Sequence, residues 1–539
     1  QTKLGFPEVQ LGLIPGFGGC IRLPKLIGLR NALKLILAGK NIRAKQAYTM
    51  GLVDEQVPSL VLEKRALELA QQIINDKAPS HPKNSYKDKN NPSYWLEILL
   101  KPVICFIFKK QILKKTKGFY PAPLKAISLL RNTYHFPVSH RALQKEALAF
   151  IKLFHTKEAK NLIRLWTTID QAKKITLSSK SHKSIERVAV IGAGVMGQSI
   201  SYLLVDKGFK VRLIDSQSKA LCSALSQTKK LLEKQKKRGQ INSYELEDKI
   251  NNLSVSQNLW GFKTFDLVIE ALPEDLKLKQ KLISEISKKV SSECLFASNS
   301  SSLSILELAK SSFNPSLFFG LHFFNPAYKM PLLEVCLTES QKESLSPVFP
   351  FIKRINKIPL LVKDSPGFIV NRILVSYLTE CLNLLAQGYH IQHIDSIFRE
   401  QLGMPLGPFE LMDKIGLDIC LNTISHLQQK GIFFKTPEWT KNLTQTLGQG
   451  EKSKKGFYIY KNKQKVLNQK TATLKRKERG DFITDKQIIQ RVIDKVFAEG
   501  HKLIQNNIVQ QEEEIDLAMI LGTGFPAFLG GPMRYKIKR

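Results

Sequence analysis

At 539 residues, 43% of them hydrophobic, the chain has the length for about three to four domains with cores of their own. Lysine and arginine outnumber the acids 82 to 46, a net charge of +36 that could suit nucleic acid or an anionic membrane surface, but they run along the whole chain with no RNA-binding or helix-turn-helix pattern beside them; no nucleic-acid partner is therefore expected, and the basic residues read as solvated faces that draw in anionic substrates. Seven scattered cysteines (Cys20, Cys105, Cys222, Cys294, Cys336, Cys381 and Cys420) make no CxxC pair and no metal-ligand spacing with the ten histidines, which argues against structural zinc and fits a reducing cytoplasm.

Residue 1 is Gln, not Met, so the expectation is a chain cut short at its start. Gly16-Phe17-Gly18-Gly19 opens a helical stretch, and 32–38, 44–50 and 60–75 continue at helical spacing with no strand pattern among them. The most apolar run, 98–108, is interrupted by Lys101 and falls short of the roughly 20 residues of a membrane span. Polar stretches at 76–93, 172–186 and 461–481 mark boundaries.

From 184 to 363, apolar runs alternate with helical periodicity, and strands are predicted at 188–191, 211–214, 266–271, 295–297 and 317–324, with a further short run at 331–335. That alternation predicts a doubly wound, Rossmann-type α/β sheet. Its first turn is Gly192-Ala193-Gly194-Val195-Met196-Gly197, set between a strand and a helix, and Asp215 closes the second strand. Glycines there let the backbone turn sharply and approach a pyrophosphate, the helix start offers N–H groups and a positive dipole end, and Asp215 can accept from a ribose hydroxyl. A dinucleotide site is predicted. The carboxylate at 215 repels a ribose phosphate, which predicts NAD rather than NADP.

Past 363 the pattern is mostly helical, and it repeats. Arg372 and Glu380 recur 119 residues later as Arg491 and Glu499, while Asp395, Gly403 and Pro405 recur 121 residues later as Asp516, Gly524 and Pro526. Two copies of one helical unit are expected. Ser365-Pro366 and Thr484-Asp485 are the predicted helix starts. The second copy stops soon after Gly530-Gly531, so its end also reads as cut short.

Ligands of open α/β sheets sit past the carboxyl ends of the strands, which singles out Glu274 and Lys279, Asn299 to Ser302, His322 and Asn325, and Glu334. A histidine and a carboxylate at neighbouring strand ends can meet in the fold although twelve residues separate them. Such a pair suits oxidation of an alcohol: imidazole takes the hydroxyl proton as hydride leaves the carbon, and the acid fixes the tautomer and stabilises the imidazolium. A histidine at a strand end is also commonly a structural residue; the dinucleotide turn in the same block turns the reading to catalysis. Asn371 sits early on an apolar helix, where an amide is costly to bury unless it meets a ligand or a structural partner. Its counterpart in the second copy is Gln490, which predicts one active copy and one scaffold copy.

Several of these segments resemble L-3-hydroxyacyl-CoA dehydrogenase over roughly 187–458: Val190-Ile191-Gly192 through Asp215, Ala297-Ser298-Asn299-Ser300-Ser301, Leu321-His322-Phe323-Phe324-Asn325-Pro326, and Asp364-Ser365-Pro366-Gly367-Phe368-Ile369-Val370-Asn371-Arg372. The resemblance implies His322 as catalytic base with Glu334 as its partner. It also implies Ser301 and Asn371 at the substrate hydroxyl or thioester oxygen, and Glu274, Lys279 and Asn325 on the nicotinamide side of NAD.

Phe6-Pro7-Glu8-Val9-Gln10-Leu11-Gly12-Leu13-Ile14-Pro15-Gly16-Phe17-Gly18-Gly19, with Ala38-Gly39-Lys40 and Gly51-Leu52-Val53-Asp54, resembles the crotonase, or enoyl-CoA hydratase, superfamily. Both families in one chain imply the alpha-subunit family of the fatty-acid beta-oxidation complex, which hydrates an enoyl-CoA and oxidises the product; an acyl-CoA substrate and a thiolase beta subunit as partner come with it. Hydration takes two carboxyl groups around one water and a pair of N–H donors for the enolate. Glu8 matches one of those carboxylates, the other reading being a solvated or N-capping acid. The second carboxylate and the oxyanion-hole glycines belong to a preceding segment, so hydratase activity is expected to be absent from this chain. The expected layout is a partial crotonase-like domain with a helical linker at 1–183, an NAD-binding Rossmann domain at 184–363, and two repeated all-helical domains at 364–460 and, incomplete, at 482–539. Two other functions fit the same residues: a related NAD-dependent dehydrogenase of a free hydroxy acid, and a non-catalytic remnant or scaffold whose exposed apolar surface prevents stable folding.

Overall fold

The computed structural model describes residues 2–75, 92–174, 184–338, 341, 346–461, 464–474 and 483–535. Most of the polar boundary stretches at 76–93 and 172–186, and part of the one at 461–481, fall outside them. Two compact units divide the chain: Gln1–Trp166 with Ala527–Gly530, and Thr167–Pro526 with Gly531–Arg539.

The first unit is mainly helical, through Gly19–Ile27, Leu29–Ala38, Ala44–Thr49, Leu62–Ile74, Pro92–Thr116, Pro121–Thr133 and His140–Phe154. One correction applies here: β1 (Lys3–Leu4) pairs antiparallel with β2 (Ile42–Arg43), where no strand is expected. Two residues a side are too few for a period-2 pattern to be legible. Ile14, Ile27, Leu33, Ile36, Ala126 and Leu130 form the core, each large aliphatic side chain contributing about 1.5–3 kcal/mol by its burial. The Gly19–Ile27 helix has no side-chain cap of its own; buried Glu146 supplies one from a distant helix, accepting from the N–H groups of Gly18 at 2.6 Å and Cys20 at 2.7 Å. The Pro92–Thr116 helix packs Ile104 and Phe108 on this core and leaves Leu99, Val103 and Phe106 exposed. Among the described residues no helix is long and apolar enough to cross a membrane.

The second unit is built on an eight-stranded sheet. Its strands are β3 (Arg187–Ile191), β4 (Lys210–Ile214), β5 (Leu253–Ser256), β6 (Leu267–Glu270), β7 (Leu295–Ser298), β8 (Phe318–Phe323), β9 (Leu332–Cys336) and β10 (Ile358–Val362), in the order β10-β9-β8-β7-β6-β3-β4-β5. The strands from β3 to β8 run parallel, as the alternation predicts. β9 instead runs antiparallel to β8 and carries β10 with it, so the sheet is mixed. Only residues 324–331 join β8 to β9, too few for a parallel crossover. β5 and β10 lie outside the predicted runs because both are edge strands: Leu253–Ser256 alternates with serine, and Ile358–Val362 contains Pro359, which edge strands tolerate. Val188, Val190, Leu213, Ile269, Phe319, Leu321 and Val335 fill the core around the sheet.

Two long helices, Val370–Ala386 and Asp485–Gln505, then pack along each other. The predicted repetition appears as reciprocal ion pairs: Arg372 Nε donates to Glu499 Oε1 at 2.8 Å, and Arg491 Nε to Glu380 Oε1 at 2.5 Å. A second sign is steric, since a Cβ on Gly407 would lie 2.3 Å from Asp395 Oδ1 and one on Gly531 would lie 2.2 Å from Asp516 Oδ1. One hairpin departs from the all-helical expectation in this mainly helical region: β11 (Tyr458–Lys461) and β12 (Gln464–Leu467) pair antiparallel. Asp413 anchors it by accepting from the N–H groups of Phe457 and Tyr458 and from the Tyr460 hydroxyl. Thr484 caps Asp485–Gln505 in a capping box with Gln487, as predicted. Ser365-Pro366 starts only a turn, because Gly367 and Phe368 are left-handed, and the helix begins at Val370.

Candidate active site

β3 is followed by Gly192, whose φ of +99° suits glycine and whose missing Cβ would otherwise meet Ala271 O at 2.7 Å. Gly197 seats the next helix on the strand, since a Cβ there would sit 1.7 Å from Gly192 O. Gly194 differs from both. It precedes the Val195–Asp206 helix, and a Cβ on it would meet nothing within 4 Å. Val195 beside it is 69% exposed, while Met196 packs on the sheet core. Open space therefore stands above the free N–H groups of a helix start, the setting a pyrophosphate takes. Asp215, just past β4, accepts from Ala193 N at 2.6 Å and from Gln217 N at 2.8 Å, so its carboxylate faces the same turn. The residues present fit a dinucleotide.

His322 lies near the end of β8 and pairs in register with Glu334 of β9. Nδ1 and Oε2 are 2.6 Å apart, with the side chains 8% and 0% exposed. The other Glu334 oxygen accepts from Ile369 N at 3.2 Å and Val370 N at 3.0 Å, so one buried acid holds both the ring and the start of a helix. An ionised carboxylate only accepts, which makes Nδ1 the donor and leaves the lone pair on Nε2. No protein group among the described residues bonds Nε2. The rings of Phe324 and Phe368 flank the imidazole at 4.5 and 5.8 Å. Phe368 holds a φ of +43°, a strain of about 1–3 kcal/mol that its full burial and the bond from its N–H to Ser365 O sustain. Asn371 is half-buried in the first turn of that helix, and its amide has no hydrogen bond among the described residues. Gln490 is tied instead to Asp494 of its own helix at 2.6 Å.

A serine-rich loop after β7 wraps Glu274. Oε1 accepts from Ser301 N at 2.6 Å and Ser301 Oγ at 2.9 Å, and Ser300 Oγ donates to Oε2 at 2.8 Å. Burial pushes this carboxyl up, but Lys279 and the bonds from Ser301 and Ser300 outweigh it and hold it below the ordinary range. Lys279 is fully buried, its amine bonded to Glu270 Oε1 at 2.8 Å and Leu272 O at 3.2 Å and 3.3 Å from Glu274 Oε2. Enclosed in this way, Lys279 lends its charge to Glu274. Glu270 escaped the sequence reading, although an acid ending the apolar run Leu267-Val268-Ile269 was a visible signal. Ser298 also donates to it, at 2.7 Å.

Two contacts join these clusters. Asn299 Oδ1 accepts from Phe323 N at 2.9 Å, tying the serine loop to the strand of His322. Ala327 N donates to Ser199 Oγ at 2.7 Å, which seats the loop after His322, with exposed Asn325 in it, on the helix of the glycine turn. In the first unit, Glu8 sits half-buried in a short turn, Pro7–Leu11, and its Oε2 is buried with no hydrogen-bond partner among the described residues.

The 3-hydroxyacyl-CoA dehydrogenase NAD binding domain matches residues 187–365, the C-terminal domain of 3-hydroxyacyl-CoA dehydrogenase matches 367–460, and enoyl-CoA hydratase/isomerase matches 1–92. The fatty acid oxidation complex subunit alpha of Vibrio parahaemolyticus is 35% identical over 539 residues, 99% of this chain and 75% of that protein. The same subunit of Shewanella baltica is 34% identical over 544 residues, covering 99% and 76%. The crystal structure of 3-hydroxybutyryl-CoA dehydrogenase from Escherichia coli K12 covers 66% of this chain and 91% of its own at 24% identity, with a TM-score of 0.57, a likeness of fold.

Proposed function

The chain belongs to the fatty acid oxidation complex alpha-subunit family, and from that premise we propose that its second unit oxidises an (S)-3-hydroxyacyl-CoA to the 3-oxoacyl-CoA with NAD. An enoyl-CoA hydratase/isomerase region and a 3-hydroxyacyl-CoA dehydrogenase region share the chain, so an oxidoreductase is joined to a lyase of fatty-acid oxidation. NAD, when bound, accepts the hydride. Gly192, Gly194, Val195, Met196 and Gly197 would hold its pyrophosphate, Asp215 a ribose, and Glu274, Lys279 and Asn325 the nicotinamide side.

His322 takes the hydroxyl proton at Nε2. The imidazolium so formed pairs with Glu334, whose own charge rests on the N–H groups of Ile369 and Val370. Asn371 offers a free amide to the hydroxyl or thioester oxygen, and Ser301, which donates to Glu274, keeps lone pairs for the same task. The observation that carries this reading is the imidazole held through Nδ1 with Nε2 left open. Its test is NADH consumption with acetoacetyl-CoA by the full chain and by His322→Ala; equal rates remove His322 from the mechanism.

Glu8 is the proposed hydratase carboxylate, supported by its buried, unpartnered oxygen. A thiolase beta subunit as partner, the cytoplasm as setting and the layout 1–183, 184–363, 364–460 and 482–539 complete the reading, supported by the family.

A further inference from the structure

Lys357, between the Val348–Arg354 helix and β10, is 4% exposed and makes no ion pair among the described residues. Its amine donates to two backbone carbonyls, those of Ala327 and Met330. An ammonium buried without a carboxylate is a costly arrangement, and here burial, with Lys207 adding to it, brings the amine down to about 8. The same stretch is held from its other side. Ala327 N donates to Ser199 Oγ, buried in the second turn of the Val195–Asp206 helix, and the Tyr328 ring meets Tyr202 of that helix edge-on at 5.0 Å. Both polar backbone atoms of Ala327 are thus gripped, two residues after Asn325 and five after His322.

We infer that Lys357 and Ser199 are positioning residues for the cofactor: together they clamp residues 325–330 against the helix of the glycine turn and set where Asn325 stands over bound dinucleotide. The inference rests on the proposed NAD site. Neither side chain reaches the reacting atoms, and neither lies in the glycine turn. Sheet packing alone would not require a charged group to bind this loop, because an apolar side chain would fill the space at lower cost.

The experiment uses the full chain, three single variants, Ser199→Ala, Lys357→Met and Gly194→Ala, and the double variant of the first two. Four quantities are read: the Kd for NADH by fluorescence, the KM for acetoacetyl-CoA, the melting temperature, and amide exchange across 323–331 without cofactor. Ser199→Ala and Lys357→Met should each weaken NADH about 10-fold and speed exchange at 325–330, with acetoacetyl-CoA KM within about 2-fold. Their double variant should lose less than the product of the two, since both hold one residue. Should Lys357→Met fail to fold, Ser199→Ala, which removes one oxygen, decides alone. An unchanged NADH Kd in Ser199→Ala overturns the clamp, as does a loss matched by an equal rise in acetoacetyl-CoA KM. Gly194→Ala separates the two failures: if it weakens NADH while Ser199→Ala does not, the clamp alone is wrong, and if neither variant moves the Kd, the NAD site falls with it.

Discussion

Glu334 orients the His322 ring with one oxygen, at 2.6 Å, and with the other receives the first N–H groups of the helix bearing Asn371. Glu334→Gln keeps the shape but sets an amide N–H against a donor on one side. We expect kcat in NADH oxidation to fall about 10²-fold or more, with acetoacetyl-CoA KM little changed, and about 1 kcal/mol of stability to go with the weakened cap. A kcat within threefold of the parent would contradict the orienting role.

The glycines of the nucleotide turn divide by what surrounds them. Gly197→Ala places a methyl group 1.7 Å from Gly192 O and should lower the melting temperature steeply. Gly194→Ala meets open space, so the variant should fold like the parent and lose NADH affinity. Thermal melts and cofactor titration of both variants check the contrast; equal melting losses would refute it.

Asn371 and Gln490 hold equivalent places in the two helical copies, and only Asn371 has an uncommitted amide. Asn371→Ala should raise acetoacetyl-CoA KM or lower kcat at least about 10-fold, in line with losing one hydrogen bond to a polar substrate atom. Gln490→Ala should leave both constants unchanged.

The reciprocal ion pairs of the repeat are unequally buried. Arg372 and Glu499 are 5% and 4% exposed, whereas Arg491 is 33% exposed opposite Glu380. Glu499→Gln leaves Arg372 buried against a neutral group and should cost about 3 kcal/mol in urea unfolding. Glu380→Gln should cost clearly less, because water reaches Arg491.

Stability should also depend on pH through two buried acids. Burial raises the Asp395 carboxyl from 3.8 to about 7 against the bonds from Tyr458 and Phe409, and raises Asp413 to about 6. A folded state that binds these protons more tightly than the unfolded chain gains most below pH 3.8 and loses that gain as pH rises through 6 to 7. The melting temperature should therefore fall between about pH 4 and 7 on their account, and Asp395→Asn should flatten the decline. An unaltered slope in that variant would exclude Asp395 as a source.

What was legible in the chain was local or periodic. Strand, glycine turn and helix follow one another at 188–206, so the nucleotide site is readable from neighbours alone, and the Arg/Glu spacing exposes the repeat without any knowledge of packing. His322 and Glu334 were readable as candidates, but their facing register depends on β9 reversing, which the doubly wound expectation did not contain. Lys279 shows a different limit: a charged residue after a strand looks exposed in sequence, and only the fold reveals Glu270 waiting behind it. Ser199 and Lys357 act on backbone atoms of a distant loop, and no side-chain pattern encodes such a contact.

The antiparallel pairing of β8 and β9 has a consequence for inheritance. Successive side chains of a strand point to opposite faces, so a residue gained or lost between Phe323 and Leu332, unless the loop absorbs it, slides Leu333 or Val335 opposite His322 and turns the acid away. Lineages should accordingly tolerate paired length changes in this connection and purge single ones, a signature readable in gene sequences before any protein is purified.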